Sequence, residues 1–340
     1  RNIGGCFFDF LLCSGSCRRV RRVTARRAVT RQHGLPGVGF LPCRQDNMDF
    51  GDPPRAQALK AQVQRFMQDL ILPSHRDWLR WSEAGAYPLD VIEPLKARAR
   101  AAGLWNLFLP GLRDDEPGTR LTNLEYAPLA EIMGRVPWAS EVFNCSAPDT
   151  GNMELLQLFA TPAQRAQWLL PLMEGTMRSC FAMSEPDVAS SDPTNLGTRI
   201  ARDGEHWVLN GRKWFITGAA HPQCRLAIVM GVSDAAPDAP AHRRHSLLLV
   251  PMDAPGLEIV RNIPVMQHQA IEGHCELVFR DVRVPVSHLL GAAGEGFAMA
   301  QARLGPGRVH HCMRTIGQCE LALELMAERA LERMAFGRHL

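Results

Sequence analysis

From residue 52 the apolar positions recur at steps of three and four. Leu59, Val63, Phe66, Met67, Leu70 and Ile71 form one stripe, which predicts an amphipathic helix opened by Asp52 as cap with Pro53 and Pro54 in its first turn. Thr122 with Glu125, and Thr161-Pro162 with Gln164 ahead of Trp168, Leu169 and Leu172, carry the spacing of two further helix starts. Residues 52–175 therefore predict a bundle of helices. At Ser179 the period becomes two. Asp203-Gly204 and Asn210-Gly211 sit where hairpin turns need positive φ. Short β-rich runs follow at 213–217, 224–232, 246–251, 257–261 and 276–285. Six or so strands with no helix between them predict a compact antiparallel barrel. After Gly291 the helical period returns, broken locally at Gly305-Pro306-Gly307, with Leu321, Leu325, Ala327 and Leu331 on a long helix. Nothing follows it to cover that apolar face, so the chain is expected to stop short of a complete bundle.

The expected fold class is thus α+β: an N-terminal helical domain at 48–178, a middle antiparallel β-barrel at 179–290, and the start of a C-terminal helical bundle at 291–340. The chain has 340 residues, 46% hydrophobic and 21% charged, which excludes a disordered chain. No apolar run reaches the ~20 residues that span a bilayer. Ten cysteines without a CxxC pair predict reduced thiols, with neither a disulfide framework nor a metal site.

The net charge of +3 hides an asymmetry. Residues 1–45 hold nine Arg against one acid, a local +8, which leaves −5 for the rest and argues against nucleic acid as the main partner. Residues 1–47 show neither period, and three readings compete there: a mitochondrial transit peptide, a basic arm, or sequence upstream of a true start at Met48. The third is preferred. Only three lysines (Lys60, Lys96, Lys213) stand among the basic residues, a bias towards Arg that favours a bacterial cytoplasm, with the mitochondrial matrix as the alternative.

Three segments carry candidate chemistry. SEPDVASSD (184–192) leaves a strand for a turn rich in hydroxyls able to donate to a ligand edge or phosphate. NGRKWFIT (210–217) sets Trp214 and Phe215 on opposite strand faces, one free to offer a flat ring. RLGPGRVHHCMR (303–314) holds Arg308, suited to a buried anion or to a helix end. Its adjacent His310, His311 and Cys312 diverge by ~100° on a helix, against the spacing of three or four that helical metal pairs favour. Plain turns and core aromatics account for the first two taken singly.

In this order, with FRDVRVP (279–285), GEGF (294–297) and ERMAFGR (332–338) added, the segments resemble the acyl-CoA dehydrogenase family over residues ~50–340. RLGPGRVHHCMR looks most like the branch sometimes fused to a phosphotransferase-type domain. The resemblance implies FAD between barrel and bundle, α,β-dehydrogenation of an acyl-CoA to the trans-2-enoyl-CoA, and an electron-transfer flavoprotein as acceptor. It matches Phe181, Met183 and Ser184 to the strand at the flavin ring edge, and Ser190, with Ser191 as alternative, to the serine that meets cofactor phosphate and acyl-CoA. Phe215 matches a position usually held by Trp against the flavin, Ile216 and Thr217 follow it, and the Thr217 hydroxyl falls near the reactive nitrogen. Gly305, Pro306, Gly307 and Arg308 match the acyl-CoA pocket. Arg333 and Phe336 match a motif that reaches a neighbouring subunit's FAD, which implies a homo-oligomer, dimer or tetramer. In most members the catalytic carboxylate lies late in the bundle, so it is expected beyond Leu340; a minority place it where this chain has Gly307. Glu295, Glu320, Glu324 and Glu328 are not placed to replace it. The rival readings are an acyl-CoA oxidase using O₂, a non-catalytic flavin- and acyl-CoA-binding scaffold, and a flavin-free CoA-ester hydratase or transferase.

Overall fold

The computed structural model describes residues 51–233 and 239–340, so the leader at 1–47 and Met48 lie outside the described residues. Helix α1 (Pro54–Phe66) starts on Pro53, not on Asp52, whose carboxylate pairs instead with Lys60 at 3.0 Å. A π-helical turn (Met67–Ile71) runs α1 straight into α2 (Leu72–Glu83). Helix α3 (Leu89–Ala101) precedes α4 (Asn123–Gly134), which opens on a complete capping box: Glu125 N donates to Thr122 Oγ1, and Thr122 N donates to Glu125 at 2.8 Å. After α5 (Ala139–Val142) and α6 (Asp149–Phe159), Thr161 and Gln164 repeat the box ahead of α7 (Pro162–Gln164), a π turn (Arg165–Leu169) and α8 (Leu170–Met173). Val63, Phe66, Met67 and Ile71 of the stripe are buried in one core with Tyr126, Phe143 and Trp168.

The strands are β1 (Arg178–Ala182), β2 (Arg199–Asp203), β3 (His206–Thr217), β4 (Cys224–Ser233), β5 (His245–Pro251), β6 (Leu257–Asn262), β7 (His274–Pro285) and β8 (Leu289–Leu290). They form one sheet in the order β6-β7-β3-β2-β4-β5-β8, with β1 paired to β4. The ladders are antiparallel except β1–β4 and the short β2–β4 contact, which run parallel. The sheet curls around its own core of Ile200, Leu209, Ile216, Val229, Leu248 and Phe279. Alternate residues of β4 and β5, such as Leu226, Ile228, Leu247 and Leu249, face the helical core instead. Two-sided burial explains the continuous apolar run of β4.

The two Gly-containing turn signals part company. Asp203 pairs with His206 across Gly204-Glu205, a hairpin as expected. Asn210-Gly211 is not a turn: β3 runs through it, and the pairing with β7 slips between Leu209 and Gly211. Asn210 bonds both the side chain and the backbone N–H of Asp281, while a Cβ on Gly211 would sit 2.4 Å from Thr198 Oγ1. The glycine serves close approach, not reversal.

Helix α9 (Gly296–Glu332) also departs from expectation. It passes Gly305-Pro306-Gly307 without a break, then ends in a small hairpin of β9 (Met334–Ala335) and β10 (Arg338–His339). It crosses α4 at two glycines. A Cβ on Gly134 would lie 2.1 Å from Arg314 O, and one on Gly317 would lie 1.9 Å from Glu131 O. Arg135 at the same crossing pairs with Glu324. Beyond the crossing Leu323, Leu325, Met326 and Leu331 are exposed.

Two outcomes follow from this packing. Gly317→Ala forces backbone from backbone and should cost about 2–3 kcal/mol in urea unfolding, whereas Leu325→Ala should cost under about 0.5. Equal midpoints would contradict the crossing. Glu154 on α6 is buried with Oε2 unpartnered among the described residues, and burial pushes its carboxyl from 4.5 up to about 7 against the pull of Arg303. The folded state then holds a proton that the unfolded chain has released, so stability should fall as pH rises from 4.5 to 7. Glu154→Gln should remove that slope and raise stability at pH 8 by roughly 2 kcal/mol; an unchanged slope in a pH series of melts contradicts it.

Candidate functional site

One cavity of about 290 Å³ draws together parts far apart in sequence: Ala147, Pro148, Thr150 and Gly151 at the start of α6, Phe181 at the end of β1, Phe215 and Thr217 at the end of β3, and Arg303, Leu304, Gly307, Arg308, His311 and Arg314 along α9. Five of the residues that the resemblance assigns to the site meet here, Phe181, Phe215, Thr217, Gly307 and Arg308, together with His311. Phe215 stands at φ +51°, outside the extended region its neighbours occupy, and the β3–β7 register slips between Lys213 and Ile216. The expected opposition of Trp214 and Phe215 therefore fails. Their rings meet edge-on at 4.8 Å, and Phe215 keeps 42% of its surface exposed. A bulky residue held at positive φ is strained backbone of the kind that clusters at binding sites. Ile216 turns the other way into the sheet core and does not line the cavity. The Thr217 hydroxyl lies 3.0 Å from His274 Nδ1.

The serine-rich loop sits beside this cavity without lining it. Ser184 Oγ donates to Trp214 O at 2.8 Å, and Trp214 N–H donates back to Ser184 O at 3.0 Å. Ser190 Oγ accepts from Glu185 N at 2.8 Å and donates to Glu185 O at 3.1 Å, which spends that hydroxyl inside the turn. Ser191 is exposed and keeps its hydroxyl free among the described residues. Met183 lends its carbonyl to Lys213 Nζ at 2.8 Å. Gly305 and Pro306 lie on the same turns of α9 as Gly307 but do not line the cavity, and a Cβ on Gly305 or Gly307 would meet nothing within 4 Å. Arg333 and Phe336 sit at the far end of α9, with Phe336 fully exposed at φ +52° on the tip of the β9–β10 hairpin.

Arg303 ties α9 to the rest of the site. Its Nε donates to Asn152 Oδ1 at 2.7 Å, a terminal nitrogen donates to Pro148 O at 3.2 Å, and its guanidinium lies 4.1 Å from the Phe181 ring centre. Burial lowers its pKa to about 10 against the pull of Asp149 and Glu154. No Asp or Glu among the described residues lines the cavity. His310 faces away from it, 1% exposed, edge-on to Tyr126 at 5.0 Å, and burial pushes its imidazole down to about 4. It is a core residue, not half of a metal pair with His311.

A second cavity of about 370 Å³ adjoins the first, sharing Ala147, Pro148, His311 and Arg314. Its floor holds Arg178, whose Nε lies 2.7 Å from Asp149 Oδ2, together with Glu141, Tyr87 and His221. Burial raises the Glu141 carboxyl, but Arg178 and His221 outweigh it and hold that carboxyl well below the usual range. Sequence reasoning missed this network and Arg303, because the partners come from separate helices and strands and share no local spacing.

Family models match this chain in three consecutive stretches: the acyl-CoA dehydrogenase N-terminal domain over residues 53–176, the middle domain over 180–282 and the C-terminal domain over 294–340. The chain is 51% identical over 299 residues to the Mycobacterium tuberculosis protein described as probable acyl-CoA dehydrogenase FadE2, covering 86% of this chain and 71% of that one. It is 48% identical over 293 residues to mouse acyl-CoA dehydrogenase family member 10, covering 84% of this chain and 27% of the mouse protein. A solved acyl-CoA dehydrogenase-type structure from Mycobacterium abscessus superposes with a TM-score of 0.79 at 47% identity, covering 86% of this chain and 73% of that one. With three domain models in register and half of 299 aligned residues shared with such a relative, this chain belongs to the acyl-CoA dehydrogenase family.

Proposed function

We propose that residues 51–340 form the FAD and acyl-CoA platform of an enzyme that desaturates an acyl-CoA thioester between its α and β carbons. The observation that carries this reading is the cavity in which Phe181, Phe215 and Thr217 of the sheet face Gly307 and Arg308 of α9. The residues present fit a flavin: an exposed aromatic ring held at a strained backbone position, a hydroxyl beside it, and an exposed hydroxyl at Ser191 on the adjoining loop. FAD bound there supplies the two-electron oxidation by accepting the β-hydrogen as hydride.

The chain's own residues do the rest. Phe215 offers its face to the ring, Thr217 its hydroxyl to the ring edge, and Leu304 with Phe181 shields the slot from water. Arg303 fixes the height of α9 above the sheet through Asn152 and Pro148. Removal of the α-proton needs a carboxylate facing the slot, and Gly307 lines it at a position where an added Cβ would meet no described atom within 4 Å. An electron-transfer flavoprotein is the proposed acceptor. The similar folds include a solved structure described as electron transferring flavoprotein of Acidaminococcus fermentans, at a TM-score of 0.71 and 26% identity. Phe336 and Arg333, presented on an exposed tip, are proposed to meet the cofactor of a second copy.

Two measurements test this. Phe215→Ala should weaken FAD binding about tenfold, as loss of one aromatic face does, with the Ser184–Trp214 bonds intact; unchanged affinity places the ring elsewhere. Mixed anaerobically with an acyl-CoA, the FAD-loaded chain should keep its yellow colour, while Gly307→Glu should bleach at least ~100-fold faster, the low end of what a placed base contributes. Failure of that variant to bleach rejects the dehydrogenase reading in favour of a binding scaffold, and peroxide release in air would indicate an oxidase.

A further inference from the structure

Lys213 is 0% exposed although it sits between two exposed segments of the site. Its Nζ donates to Met183 O and to Glu185 Oε1, each at 2.8 Å. The Glu185 carboxylate in turn accepts the backbone N–H of Gly197 at 2.6 Å and of Thr198 at 3.0 Å. One carboxylate therefore pins both ends of the loop 185–198, and one ammonium pins that carboxylate to β3. Within the ring so closed, Ser190 ties back to Glu185 through both its donor and its acceptor. Lys213 also directly precedes the Trp214-Phe215 pair, whose backbone exchanges bonds with Ser184. The loop with the hydroxyls and the strand with the aromatic ring are thus held in one register by a buried ion pair together with the Ser184–Trp214 bonds.

We infer that Lys213 and Glu185 act as a latch, positioning residues that set the serine loop against the Phe215 segment so that both meet the same cofactor. This rests on the proposed flavin site and goes beyond it, because neither side chain lines the cavity or touches a ligand there. A pair kept only for stability is replaceable by two apolar side chains of similar volume at little cost. A latch is not, since that replacement leaves the Gly197 and Thr198 N–H groups without an acceptor and the loop free to shift.

The double variant Lys213→Met/Glu185→Met separates the two, alongside Lys213→Arg and the wild-type chain. Its thermal midpoint should fall by only the few degrees that two released amides cost, since no lone charge is buried, while its FAD affinity falls about thirtyfold. Lys213→Arg keeps the charge and should lose less than about tenfold. In the protein without FAD, hydrogen exchange at Gly197 and Thr198 should accelerate about 100-fold in the double variant while the β4–β5 amides stay protected. Wild-type FAD affinity in the double variant, or undiminished protection of those two amides, overturns the latch. If the wild-type chain takes up no FAD, the proposed function falls, and the exchange rates of Gly197 and Thr198 still decide between latch and filler.

Discussion

The site depends on how closely α9 is allowed to approach α4. Two glycines, one on each helix, let carbonyl oxygens lie where side chains would otherwise begin. That contact fixes a 37-residue helix as a rigid beam, and everything the site takes from α9 follows from its height. Arg303 then reaches Asn152, Pro148 and the face of Phe181, which links helix, α6 and the first strand at one point. Gly307 and Arg308, one turn on, come to face Phe215 and Thr217. A packing constraint far from the slot thereby sets the width of the slot.

The sheet contributes by departing from regularity. A uniform strand would send Trp214 and Phe215 to opposite faces and bury one of them. Instead β3 slips register twice, first where Gly211 lets it press against Thr198 and again around Phe215. The second slip turns an aromatic ring outwards at the strand end. Strained backbone persists only where its surroundings over-determine it, and here the Lys213–Glu185 pair and the reciprocal Ser184–Trp214 bonds do so. Strand and loop constrain each other.

Much of the architecture was legible in the sequence because it is local. The two Thr-led capping boxes, the stripe from Val63 to Ile71, the change of period at Ser179 and the Asp203-Gly204 hairpin all rest on contacts within a few residues. The misreadings share another cause. Asn210-Gly211 has the composition of a turn, but the glycine answers to Thr198, on a separate stretch of the chain. Gly305-Pro306-Gly307 has the composition of a break, yet flanking turns packed on α4 and α6 carry the helix through, tertiary context overriding propensity. Asp52 pairs with Lys60 instead of capping the first helix. Of the site, the aromatic and glycine positions were readable through their motifs, whereas the Arg303 anchor and the Arg178–Asp149–Glu141 network were not, since each partner is ordinary in its own segment.

A crystal structure of the chain grown with FAD would decide whether helix and sheet make a flavin slot. The account predicts ring density in the cavity bounded by Phe181, Phe215, Thr217 and Gly307, with α9 still seated on Gly134. Density for the ring at any other place, or an α9 lifted from α4 to admit it, would contradict the account.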